Sequence, residues 1–127
     1  MAQVSELFRQ LWPASHVHRH DVLDWLYRQN PHGRVVGFNA WHQGLLAAHY
    51  AVIPIMASFR GREGKAGLSL NTATHPAYQR RGLFARLAEA TYARARAEGM
   101  HHVIGVANAN STAGFVGKLG FQSVGQL

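Results

Sequence analysis

The apolar positions of this chain follow one rhythm over its first quarter and another through its middle. Val4, Leu7, Phe8 and Leu11 recur at i, i+3, i+4 and i+7, which predicts an amphipathic helix over residues 3–12 that Pro13 ends. Val22, Leu23, Leu26 and Tyr27 mark the buried face of a second helix over 18–28, closed by Asn30-Pro31-His32-Gly33. The period then drops from 3.6 to two. Residues 34–41 (RVVGFNAW), 45–53 (LLAAHYAVI) and 66–74 (AGLSLNTAT) read as strands, joined by His42-Gln43-Gly44 and by a Gly/Arg/Glu-rich turn over 60–64. Tight connections of this kind predict an antiparallel meander. Leu83, Leu87, Ala90, Thr91 and Ala95 form one face of a long helix over 82–98, with Gly99 at its C-cap. Residues 101–107 read as a strand, 111–119 as a short helix and 121–127 as a final strand. The order ααβββαβαβ predicts one α/β (α+β) domain over 1–127, with a parallel pairing where the long helix crosses over.

Composition narrows the picture. With 127 residues, 47% hydrophobic and 15% charged, the chain can build a single core and does not resemble a disordered segment. No apolar run approaches the ~18 residues of a membrane span, and the N-terminus lacks the basic start and apolar run of a secretory signal, which predicts a cytoplasmic protein. The absence of cysteine excludes disulfides, thiolate metal sites and a Cys nucleophile. Thirteen Lys and Arg against six Asp and Glu give a net charge of +7. Such a surface favours polyanionic partners: nucleic acid, acidic membranes or a phosphorylated cofactor.

The stretch from Thr74 to Phe84 joins the third strand to the longest helix. A helix N-terminus carries unpaired N–H groups and the positive end of the dipole, which together attract anions. Arg80 and Arg81 add two cationic forks beside it, and Gly82 lets backbone approach a ligand closely. These features describe a diphosphate cradle. The plain alternative, a helix that starts with basic residues on a solvated face, sets those charges against the dipole.

His75-Pro76, Tyr78 and then Gln79-Arg80-Arg81-Gly82-Leu83-Phe84 resemble the cofactor motif of the GNAT acetyltransferases, in a branch whose motif ends Gly-Ile/Leu-Phe. Asn108-Ala109-Asn110-Ser111 and Lys118-Leu119-Gly120-Phe121 resemble that family's second landmark, and Trp25-Leu26-Tyr27 with Asn30-Pro31-His32-Gly33 resembles the same branch. The resemblance covers about residues 18–127 and implies a mixed central sheet with helices on both faces. The family's usual first strand is not readable and its final hairpin stops at Leu127, which implies a minimal or truncated member. The resemblance further implies that Gln79, Arg80, Arg81, Gly82, Leu83, Phe84 and Ala85 hold the pyrophosphate of acetyl-CoA. It implies that Thr72, Ala73 and Thr74 pair with the pantetheine arm, and that Asn110 and Ser111 hydrogen-bond the cofactor.

Transfer of an acetyl group to an amine needs a base for the ammonium proton and an acid for the leaving thiolate. The family's usual tyrosine acid falls at Val116, which has no hydroxyl. Ser111 is first the N-cap of the short helix and only second a candidate acid. His49, mid-strand, is a candidate base or a satisfied sheet histidine. His75 fits a loop-fixing role. His16, His18 and His20 invite a metal, but no further ligand completes a set at metal-site spacing, and no metal is expected.

Three functions compete on these grounds. The first is an acetyl-CoA-dependent N-acyltransferase acting on a small amine, an amino sugar or a peptide amine. The second is a GNAT-fold module that holds acyl-CoA without turnover. The third is a basic nucleic-acid-binding protein, less expected because the cofactor loop accounts for two of the arginines. No membrane partner is expected, and a homodimer could supply a missing edge strand.

Overall fold

The computed structural model describes residues 1–106 and 114–125. Helix α1 (Ala2–Leu11) and helix α2 (His20–Arg28) are linked through a 3₁₀ turn, His16–His18. Strands β1 (Val36–His42), β2 (Leu45–Phe59) and β3 (Arg62–Thr74) form the expected antiparallel meander. Helix α3 (Leu83–Ala97) then crosses over to β4 (Val103–Gly105), which lies parallel to β3 and completes a sheet of order β1-β2-β3-β4.

Apolar side chains on both faces of β2 make two cores. Val4, Leu7 and Phe8 of α1 and Leu23 and Tyr27 of α2 pack on Leu46, Ala51, Ile53 and Ala73. On the opposite face, Leu87, Ala88 and Ala95 of α3 pack with Phe115 on Val36, Ala48, Tyr50 and Val52. An extra residue, Ala47, sits where the β1–β2 register shifts between Ala40 and Trp41. Such a bulge reverses the in/out alternation, which is why Leu46 shares a face with Ala51 and Ile53. The sheet is packed tightly at Gly37, where a Cβ would lie 2.4 Å from the Tyr50 carbonyl oxygen.

Expected elements differ at the β2–β3 hairpin, at β4, which spans only Val103–Gly105 of the described part of 101–107, and in the C-terminal segment. The strands expected to stop at Ile53 and start at Ala66 instead run on to Phe59 and back from Arg62, so the turn shrinks to Arg60-Gly61. Both turn residues have positive φ (51° and 78°), the twist that suits a two-residue hairpin. The final strand over 121–127 does not form in its described part, 121–125. Phe121 instead joins an aromatic cluster with Phe115 and Tyr92, and its N–H donates to the Phe115 carbonyl (2.9 Å). That bond folds the chain back on the π-helical turn Gly114–Lys118, which occupies part of the expected short helix. Among the described residues, no helix is long and apolar enough to cross a membrane.

Candidate functional site

β3 delivers the chain to the site. Its pairing with β2 shifts between His49 and Ala51, so that Asn71 and Thr72 together oppose Tyr50. Asn71 takes φ +62°, a left-handed conformation that Asn tolerates better than most residues. On its other edge β3 pairs with β4 only from Gly67 to Ser69. Beyond Ser69, among the described residues, that edge of β3 has no strand partner. A cavity of about 420 Å³ opens there, lined by Trp12, Ser15, Val17, Leu70, Asn71, Thr72 and Phe115 among others.

β3 ends at Thr74 and the loop follows at once. His75 caps a 3₁₀ turn, Pro76–Tyr78: its Nδ1 accepts from the Ala77 N–H (3.1 Å) and its own N–H donates to the Ala47 carbonyl (2.8 Å). The Gln79 amide donates to the Thr74 carbonyl (3.3 Å), and the Tyr78 hydroxyl bonds His42 Nδ1 (2.8 Å). These contacts tie the loop to the ends of three strands. Arg81 lies over the Tyr78 ring, 5.2 Å from its centroid.

The loop enters α3 through Arg80 (φ +63°) and Gly82 (φ +74°). Gly82 is the N-cap, no side chain caps the helix, and its first turn holds no acidic residue. A Cβ built on Gly82 would meet nothing within 4 Å, so the backbone there faces open space. Arg80 and Arg81 are both exposed. Successive N–H groups at an uncapped helix start, with two guanidinium forks alongside, fit a diphosphate. Phe84 points the other way, its ring edge-on to Tyr50 and Phe115 (5.9 and 5.3 Å between centroids). It anchors the first turn of α3 in the core.

His49 lies beneath the bulge, 5% exposed. Its Nδ1–H donates to Asn39 Oδ1 (2.7 Å), its Nε2 accepts from the Tyr27 hydroxyl (2.8 Å), and Asn71 Nδ2 donates to that same hydroxyl (3.4 Å). Burial pushes the His49 pKa down to about 4 and that of Tyr27 up to about 12. The imidazole is therefore neutral at physiological pH with both nitrogens engaged, as suits a satisfied sheet histidine. On the other face the Tyr50 hydroxyl bonds Ser69 Oγ (2.9 Å) and the Tyr92 hydroxyl (2.7 Å), and desolvation raises the pKa of both tyrosines.

The structure thus places Gln79, Arg80, Arg81, Gly82, Leu83, Phe84 and Ala85 in one loop-and-helix start, reached from Thr72, Ala73 and Thr74 through His75 and the 3₁₀ turn. Thr72 lines the cavity, whereas Ala73 is buried in the core beside α1 and α2. Asn110 and Ser111 lie outside the described residues. Val116 sits 45% exposed in the π-helical turn. His16 and His18 lie in the 3₁₀ turn and His20 opens α2, and among the described residues no three potential metal ligands converge. Sequence reasoning missed Ser15 and Asn71. Only Asn71 left a trace, as a residue type disfavoured inside strands.

The acetyltransferase (GNAT) domain family matches residues 1–124. The chain belongs to the GNAT acetyltransferase family. It is accordingly an N-acetyltransferase by family, and its fold agrees with solved structures. A predicted acetyltransferase from Clostridium acetobutylicum, solved with acetyl-CoA, superposes with TM-score 0.78 at 19% identity, covering 98% of this chain and 84% of that one. An aminoglycoside 6′-N-acetyltransferase from Acinetobacter haemolyticus gives 0.77 at 19% identity, over 98% and 86%. Glucosamine-6-phosphate N-acetyltransferase from Arabidopsis thaliana gives 0.75 at 19% identity, over 99% and 86%. No curated protein sequence matches significantly.

Proposed function

We propose that this GNAT domain moves the acetyl group of acetyl-CoA to the primary amine of a small molecule at the cavity beside the β3 bulge. The observation that carries the reading is the uncapped, acid-free start of α3, set at the end of the same strand that lines the cavity. When bound, acetyl-CoA supplies a thioester whose carbonyl carbon accepts the amine while the C–S bond breaks and its electron pair leaves on sulfur.

The chain's own residues bind and orient. Amides from Gln79 to Ala85, with Arg80 and Arg81, hold the pyrophosphate. The edge of β3 from Thr72 to Thr74, which has no strand partner among the described residues, offers backbone groups to the amide-rich pantetheine arm, and the residue left unpaired at the bulge offers its N–H to the developing oxyanion. Asn110 and Ser111 belong to the same proposal on sequence grounds.

Proton removal is where this chain is distinctive. None of the described residues lining the cavity carries a carboxylate or an imidazole, and residues 107–113 (ANANSTA) contain no ionisable side chain. The acceptor therefore reacts as the free amine and loses its second proton to water. The kcat/KM profile should rise with pH along the acceptor's own ammonium pKa, shifting when a less basic amine is used.

Calorimetric titration with acetyl-CoA and thiol release with an amine panel test the proposal. Failure to bind any acyl-CoA in the millimolar range would falsify it. Val116, at the position of the family's usual acid, favours a second reading, a domain that binds acyl-CoA without turnover. Binding with no thiol release for any amine would establish that reading instead.

A further inference from the structure

Resting on that assignment of the cavity, we infer that the acceptor is a monoamine with a compact apolar body, and that polycationic and phosphorylated amines are poor substrates. Trp12, Val17, Leu70 and Phe115 give the cavity its apolar wall, and its polar wall is made of the neutral side chains of Ser15, Ser69, Asn71 and Thr72.

All six acidic residues lie elsewhere. Four are engaged with arginines: Glu6 with Arg9 (2.7 Å), Asp21 with Arg19 (2.6 Å), Asp24 with Arg28 (3.4 Å) and Glu98 with Arg94 (3.5 Å). Glu63 lies on the β2–β3 hairpin, against a separate cleft beside β4, and Glu89 lies on the exposed face of α3. The chain carries +7 overall. A ligand with several ammonium groups would give up hydration without gaining a counter-charge, against a field of its own sign. The Trp12 ring can receive one cation on its face, not several. No Arg or Lys lines the cavity among the described residues either, so a phosphoryl group on the acceptor would also lose water without a partner. What remains favourable is one amine, deprotonated to react, on a body that replaces water at the apolar wall.

The experiment compares kcat/KM for 2-phenylethylamine, spermidine, an aminoglycoside and glucosamine 6-phosphate, using the full chain and thiol release from acetyl-CoA. Calorimetric binding of acetyl-CoA is measured alongside. Preference for phenylethylamine by about tenfold or more, which is ~1.4 kcal/mol, is expected. Faster turnover of any of the other three overturns the inference. So does acetyl-CoA binding with no turnover of all four. Loss of acetyl-CoA binding itself would instead bring down the parent assignment, and the inference with it.

Ser15→Asp provides a second arm. Ser15 caps the 3₁₀ turn through its bond from the Val17 N–H (3.2 Å), a role Asp also performs. The variant places a carboxylate on the cavity wall. The ratio of putrescine to phenylethylamine turnover should rise by about fivefold, the scale of a solvent-accessible ion pair. An unchanged ratio in a folded variant contradicts the electrostatic argument.

Discussion

Replacing His49 with glutamine should flatten the acid limb of the protein's stability curve. The histidine pKa falls from 6.5 to about 4, first because the ring is desolvated and second because the N-terminal ammonium is near. Between those values the unfolded chain takes up a proton that the folded chain does not. Stability therefore rises with pH across this window, is complete above about pH 6.5, and is lost as pH falls towards 4. The separation corresponds to about 3 kcal/mol. There is a matching structural cost. Protonated Nε2 could no longer accept from Tyr27, whose hydroxyl proton would lose its acceptor while Asn71 still donates to its oxygen. Urea titrations of both proteins at intervals from pH 7.5 to 4 give the measurement, and the difference between the two curves removes the other histidines. With an m-value of roughly 1–3 kcal/mol/M for a small domain, wild type should lose at least about 1 M of midpoint relative to the variant across the window. Parallel curves would refute the reasoning, showing that His49 protonates in place or is solvated.

Three other perturbations test separate parts of the structure. Substituting Arg80 and Arg81 together by Ala should weaken acetyl-CoA binding by about tenfold and flatten its salt dependence, since both are exposed cations beside the uncapped helix. Calorimetry at two ionic strengths reads both effects. Gly82→Ala has room for its methyl group but must hold φ +74°, at a cost of about 1 kcal/mol; donor affinity and melting temperature should both drop modestly. Gly37→Ala should do far more damage, because its Cβ would lie 2.4 Å from the Tyr50 carbonyl oxygen. A loss of at least ~2 kcal/mol in urea titration is expected from overpacking against backbone, and a neutral result would mean the strands can separate there.

The features legible in the sequence share one property: each is a local repeat or a contiguous motif. Val4, Leu7 and Phe8 announce α1 by spacing, and the run from His75 to Phe84 announces the loop because its parts are neighbours in the chain. The bond network around His49 was not legible, since Asn39, Tyr27 and Asn71 reach it from β1, α2 and β3. The cavity wall has the same character, with Trp12, Ser15 and Val17 meeting β3 only through folding. The overlong hairpin was missed for another reason. Pro54 and the Gly/Arg/Glu-rich run resemble chain-breaking signals, yet Ile55 to Phe59 still pair with Arg62 to Ala66.

β2 serves both cores, with Ala51 and Ile53 in one and Tyr50 and Val52 in the other. Neither helical layer can detach without exposing apolar surface of this shared strand. Loss of α1 and α2 would therefore weaken the layer that α3 covers, and the reverse holds too. The two halves are coupled as a single cooperative unit, so the amides of β2 should exchange with solvent only through global opening, while those at the hairpin tip around Arg60 exchange through local fraying.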